Sequence, residues 1–155
     1  MANWLQRLEL RFPPLALTLL FAALMVVLEW ISPALAGLHG RVAGAALLLI
    51  GGLICLTGVR QFRAHATTVN PLAPGRSSVL VTNGIYRRTR NPMYLGFAVM
   101  LIGLATTLGN LFALGMVPVF IGYLTRFQII PEERALVEKF GAPYRAYLEQ
   151  VPRWL

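Results

Sequence analysis

Charged residues are absent from three long stretches of this chain: between Phe12 and Leu28, between Val42 and Val59, and between Asn91 and Thr125. A helix needs roughly 20 apolar residues to cross the hydrocarbon core of a bilayer, and these stretches are of that order or longer. The third is too long for one crossing and is broken by Gly109-Asn110, a turn dipeptide. The pattern predicts an all-α integral membrane protein with four transmembrane helices, over about residues 14–31, 41–62, 92–108 and 111–130. The last two form a close-coupled hairpin. Composition agrees, because 57% hydrophobic and 13% charged residues cannot clothe a small domain in water, where about 25% charged is usual. The 155 residues are read as one membrane domain.

Fourteen Lys and Arg against six Asp and Glu give a net charge of +8, and all the cations except Lys139 are Arg. In a soluble chain that balance would point to nucleic acid. Here the cations lie outside the apolar stretches, where the positive-inside rule places them, so no nucleic-acid partner is expected. Arg7 and Arg11 mark the N-terminus. Arg60, Arg63, Arg76, Arg87, Arg88 and Arg90 mark the middle segment, and Arg126, Arg134, Lys139, Arg145 and Arg153 the C-terminal one. Only Arg41 marks the first loop. Both termini and the middle segment are therefore expected on the cytoplasmic side, of the cytoplasmic membrane if the source is bacterial. Arg7 and Arg11, the apolar stretch and Ala34-Leu35-Ala36 share features with a secretory signal, but the segment is expected to be retained as the first span. A lone Cys55 excludes an internal disulfide, and with His39 and His65 far apart it offers no metal-ligand cluster, so no metal is expected.

Two stretches outside the spans are informative. Residues 63–91 carry Thr67-Thr68-Val69-Asn70-Pro71, Pro74-Gly75 and Asn83-Gly84, so turns dominate. From Pro131 to Arg145 the pattern is helical, with Glu133, Leu136, Val137, Phe140 and Tyr144 on one face and Arg134, Glu138 and Arg145 on the other. Gly141 and Pro143 interrupt it, leaving an amphipathic interfacial helix and a short piece around residues 144–148. Gly40-Arg41-Val42-Ala43-Gly44 is a small-xxx-small pattern that indicates close helix packing.

Walker and Rossmann nucleotide motifs are absent, and two isolated histidines support no Ser/His/Asp set. The remaining chemistry lies in residues 84–96 and in Pro131-Glu132-Glu133 with the tail behind it. Asn91-Pro92 suits a helix opening, with Asn91 as N-cap and Pro92 in the first turn. Arg87, Arg88 and Arg90 packed against Tyr86 and Tyr94 are explained either by topology and an interfacial aromatic belt or by a ligand site. Glu132 and Glu133 complement a helix dipole. Glu133 also shares the apolar face, where a carboxylate needs a partner such as a ligand ammonium or Arg126. Arg126 either snorkels or pairs inward. Glu29, beside Trp30, is read as an outer boundary residue.

Together these places resemble the isoprenylcysteine carboxyl methyltransferases and the related membrane phospholipid methyltransferases. The matching residues are Leu80-Val81-Thr82, Gly84-Ile85-Tyr86 and Arg90-Asn91-Pro92-Met93-Tyr94-Leu95-Gly96. They continue with Arg126, Glu132-Glu133, Leu136, Phe140-Gly141, Tyr144, Tyr147 and Val151-Pro152-Arg153. The resemblance covers about the C-terminal half. It implies methyl transfer from S-adenosylmethionine, without a metal, at residues 79–96 and 126–153. On that resemblance the cofactor contacts are Leu80, Val81, Gly84, Tyr86, Arg90, Asn91, Pro92, Tyr94, Glu132 and Glu133. Arg126 and Glu133 carry the catalytic roles, with Arg126 orienting an acceptor head or pairing with Glu133. Eukaryotic members usually have His where this chain has Asn91, which removes any titratable group there.

The residues suit the cofactor chemically. Glu132 or Glu133 can take an ammonium, and Arg90 or the N–H groups near Asn91 a carboxylate. The Tyr86 and Tyr94 faces suit an adenine or a cationic sulfur. The acceptor is expected to be lipophilic and to come from the bilayer. A prenylated thiol carboxylate, an amino-headgroup phospholipid and a small hydrophobic acid or thiol all fit, and no obligate protein partner is implied. A non-enzymatic membrane scaffold or lipid-binding subunit is the alternative.

Overall fold

A computed structural model describes residues 8–34, 36–64 and 79–155. The turns expected at Thr67 through Gly75 lie outside the described residues. All regular structure among the described residues is helical, as expected. Helix α1 (Pro14–Ile31) opens on Pro14, which has no N–H to lose there. Helix α2 (Leu38–Ala64) extends beyond the expected 41–62 at both ends. No proline stands between Leu38 and Ala64 to break the helix, and terminal Arg side chains can keep their heads wet. Helix α3 (Pro92–Leu108) closes on Gly109 at φ 72°, the left-handed conformation that glycine adopts without strain. Asn110 then caps helix α4 (Leu111–Leu124), its Oδ1 accepting from Ala113 N at 3.0 Å.

The fourth apolar run behaves differently from expectation. Instead of ending near Ile130 and restarting at Pro131, α4 continues through a π-helical turn (Thr125–Ile129) into α5 (Ile130–Phe140). The cause is local. Pro131 has no N–H and its ring crowds the carbonyl four residues back, which breaks a regular α-helix. A wider turn, with Ile130 N bonded to Thr125 O, admits the proline without ending the helix. Gly141 at φ 60° then turns the chain into α6 (Ala142–Gln150).

Among the described residues, three helices are long and apolar enough to cross a membrane: Pro14–Ile31, Leu38–Ala64 and Leu111–Phe140. The 17-residue α3 measures only about 26 Å. It is the central helix, packed against α1, α2 and α4. Its Tyr94, Ala98, Leu101 and Ala105 are buried with Met25 of α1 and Phe120 of α4, and Phe21 meets Phe120 edge-on at 5.3 Å. Outward, Leu15, Leu19, Val27, Leu49, Leu53 and Phe112 are exposed. Apolar side chains pointing out of a packed bundle are what a lipid solvent requires.

The α2–α3 contact rests on glycines seven residues apart. Gly44, Gly51 and Gly58 are the buried residues of α2. A Cβ at Gly51 would stand 2.6 Å from Gly96 O, and one at Gly96 2.4 Å from Cys55 Sγ. Of the Gly40 and Gly44 pair singled out in the sequence, only Gly44 makes so close an approach.

From α1 to α4, successive helices run in opposite directions. At one end Glu29 accepts from Ala34 N and Asn110 Nδ2, each at 3.0 Å, and Asn110 Nδ2 also reaches Ser32 O at 2.8 Å. Glu29 is a structural tie there. At the other end lie α5, α6 and both the first and the last described residues of the chain.

Candidate functional site

Three pieces of chain meet at that second end. The loop before α3 begins with Gly84 at φ 59°, where a Cβ would strike Gln61 Nε2 of α2 at 2.3 Å. A single 3-10 turn (Gly84–Arg87) follows and buries Tyr86. Phe62 of α2 packs edge-on against the Tyr86 ring at 5.4 Å. The chain end then locks this loop. Arg90 N donates to Pro152 O at 3.0 Å, Asn91 Nδ2 to Arg153 O at 2.9 Å, and Tyr147 Oη to Tyr86 O at 2.7 Å. Asn91 therefore ties α3 to the tail. It makes no side-chain cap on α3, contrary to its expected role.

The acids of α5 face the same place. Glu133 is held by two guanidinium groups: Arg90 Nη1 at 3.0 Å, and Arg153 in a two-point contact, Nε at 3.0 Å and Nη2 at 2.7 Å. The Arg126–Glu133 pair, one of the two alternatives for Arg126, does not form. Arg126 instead pairs with Glu9 at 2.8 Å and lies over the Phe127 ring. Two cations thus place three N–H donors on the Glu133 carboxylate.

Glu132 is in a different state. Its Oε1 accepts from Tyr94 Oη at 2.5 Å and from Gln128 Nε2 at 2.6 Å. Burial raises the Tyr86 phenol well above its ordinary range, so its oxygen carries a proton at neutral pH. Tyr86 Oη and Arg90 Nε are buried donors that find no acceptor among the described residues. Such orphans are rare in folded proteins and call for an explanation.

Between these groups is a cavity of about 90 Å³ lined by Phe62, Tyr86, Arg90, Asn91, Pro92, Met93, Tyr94, Ile129, Glu132, Glu133, Leu136 and Tyr144. Seven of the expected contact residues are among them: Tyr86, Arg90, Asn91, Pro92, Tyr94, Glu132 and Glu133. Leu80, Val81 and Gly84 are not. Leu80 packs against the Tyr144, Tyr147 and Val151 cluster, Val81 is buried, and Gly84 makes the turn over Gln61. Arg126 does not line the cavity either. Phe62 and Gln128 escaped the sequence reading, since nothing at α2's end or after Arg126 marks them locally. Arg153 was visible as a topology-setting cation and as part of the resemblance.

The family model of phospholipid methyltransferases matches residues 40–143. The chain belongs to that family. Its members are membrane methyltransferases, and the match takes in α2, α3, α4, α5 and the start of α6. Over 77 residues the chain is 34% identical to the protein-S-isoprenylcysteine O-methyltransferase of Schizosaccharomyces pombe, covering 50% of this chain and 33% of that protein. Over 63 residues it is 43% identical to an uncharacterized protein of Haemophilus influenzae, covering 41% of this chain and 100% of that one. The matched stretch thus spans about a third of the S. pombe protein. No solved structure matches the chain significantly.

Proposed function

We propose that this cavity binds S-adenosylmethionine and that the protein passes its methyl group to a lipophilic acceptor arriving from the bilayer. One observation carries the reading: two buried donors without acceptors, Tyr86 Oη and Arg90 Nε, line the same cavity as the buried carboxyl of Glu132. An amino-acid zwitterion supplies what each side lacks, a carboxylate for the donors and an ammonium for the acid. The residues thus fit the amino-acid end of the cofactor. When bound, it supplies a methyl group made electrophilic by the sulfonium.

The chain's own groups divide the remaining work. Glu132 holds the ammonium as a carboxylate, while Tyr86 and Arg90 hold the opposite end. Glu133 acts through Arg90 and Arg153, fixing the one for binding and fastening the tail with the other. The Phe62, Tyr86 and Tyr94 rings exclude water and favour a cation over their faces. Positioning of the two reactants then supplies much of the rate. Arg126, half-exposed at the α4–α5 junction and outside the cavity lining, belongs on the acceptor side, where it suits an anionic head. The name of the S. pombe relative points to oxygen as the accepting atom, and a carboxylate is the acceptor class we favour.

We place all four helices across the bilayer, with α5 and α6 at the cytoplasmic interface. The cations gather at the cavity end, and cofactor and lipid-dissolved acceptor can meet there. The test is S-adenosylhomocysteine added to the detergent-solubilised protein. At a hundredfold excess over Kd it should add about 2.7 kcal/mol of stability, and Glu132→Gln and Tyr86→Phe should each weaken it. A melting temperature indifferent to the compound at millimolar concentration would leave a scaffold as the better reading.

A further inference from the structure

The segment before α1 lies outside the matched residues 40–143, yet it is bonded to the π turn that leads into the acids of α5. In a regular helix the Phe127 carbonyl would accept from the N–H four residues on, which is Pro131 and has none. Leu10 N–H donates to it instead, at 3.0 Å. Leu10 does so at φ 54°, the only positive φ of a non-glycine residue among those described. A left-handed leucine is costly and persists only where surrounding contacts hold it. Its neighbour supplies them. Glu9 sends Oε1 to Arg126 Nη1 at 2.8 Å and Oε2 to Arg134 Nη2.

Arg126 stands in the π turn and Arg134 in α5 beyond Pro131, so one carboxylate clasps the irregular turn to the helix that follows it. Gln128 Nε2 to Glu132 Oε1 spans the same turn from within. The acids at 132 and 133 sit between the two clasped arginines in sequence. We infer that Glu9 is a positioning residue: residues 8–12 brace the π turn from outside and so fix the direction in which Glu132 and Glu133 enter the cavity. This rests on the cofactor reading above, but the brace itself can be seen without a ligand.

Stability alone would not reveal it. Arg126 and Arg134 are 43% and 57% exposed, and pairs of that kind contribute little to stability. A contact that only anchors the N-terminus should therefore be nearly silent when broken, whereas a brace should alter what the turn presents. The experiment compares the full-length wild type with Glu9→Gln, Arg134→Gln and the double variant in detergent. S-adenosylhomocysteine affinity is measured by calorimetry, and amide hydrogen exchange over residues 127–134 is followed without ligand.

The expected result is faster exchange in Glu9→Gln and a five- to tenfold weaker Kd, at the low end of coupling between separate sites. The melting temperature should stay close to wild type. Because both single changes break one clasp, the double variant should lose less than the product of the two effects. Unchanged exchange with unchanged Kd in Glu9→Gln overturns the brace, as does a double variant whose losses simply multiply. If the wild type binds no S-adenosylhomocysteine, the cofactor reading fails, and exchange alone decides the brace.

Discussion

Glu133→Gln probes the group on which most of the site converges. The change keeps the size of the side chain but removes the charge that holds Arg90 and Arg153, whose contacts lie between 2.7 and 3.0 Å. Removing one partner of a fully buried pair costs about 3–5 kcal/mol, because the other charge is stranded. Arg90 and Glu133 approach that limit at 12% and 13% exposure, while Arg153 at 34% can recover water. An amide oxygen also still accepts one hydrogen bond. The discounted cost is roughly 2 kcal/mol. A chain of this length loses about 2–4 °C per kcal/mol, so the melting temperature should fall by about 4–8 °C. The assay is thermal unfolding of purified protein in one detergent at one scan rate, since membrane proteins often unfold irreversibly. Arg153→Gln in the Glu133→Gln background should add almost nothing, because its partner is already gone. A Glu133→Gln protein melting within about 1 °C of wild type would refute the claim that this carboxylate is buried and doubly paired.

Glu132 should hold the ammonium as a carboxylate, so Glu132→Gln should weaken S-adenosylhomocysteine binding about tenfold by calorimetry, and an unchanged Kd would count against that role. Gly96→Ala would put a Cβ 2.4 Å from Cys55 Sγ and 2.6 Å from Gly51 O. Two backbones must then part, at about 1–3 kcal/mol, visible as lower folded yield on size exclusion. Asn110→Ala removes the α4 cap and the ties to Glu29 and Ser32. It should destabilise by about 2 kcal/mol yet leave S-adenosylhomocysteine affinity unchanged, since it acts at the opposite end.

The helices were legible because their signal is additive over many residues. Charge-free runs and a Gly-Asn break placed α1 and α3 at their observed bounds. The continuation of α4 into α5 was not legible, because Pro131 ordinarily ends a helix and only a π turn, which no single residue announces, lets it pass. The cavity walls were legible where polar residues exceeded what anchoring needs, as at Tyr86, Arg90, Glu132 and Glu133. Partners were not. Glu133 could have reached Arg126 by sequence proximity, but its cations come from the start of α3 and the end of the chain. Arg126 meets Glu9 across 117 residues. Pairing of that kind depends on which helix ends meet, and hydrophobic periodicity does not encode it.

The glycine stripe decides which ends meet. With no side chain at Gly44 and Gly51, or at Gly96 and Gly103, the α2 and α3 backbones come into contact. Lipid offers no hydrophobic drive for such an approach, so close packing and hydrogen bonding must supply it. Cys55 Sγ to Met93 O at 3.3 Å adds one such bond near the cavity end. The approach continues to Gly58, whose Cβ would lie 3.0 Å from Met93 Cγ, and one turn further on it brings Phe62 onto Tyr86 and Gln61 beneath Gly84. The aromatic wall of the cavity is thus set by contacts made deep in the apolar layer. A larger residue at Gly51 or Gly96 would act on cofactor binding as well as on stability, whereas one at Gly115, which has open space around its Cβ position, should affect neither.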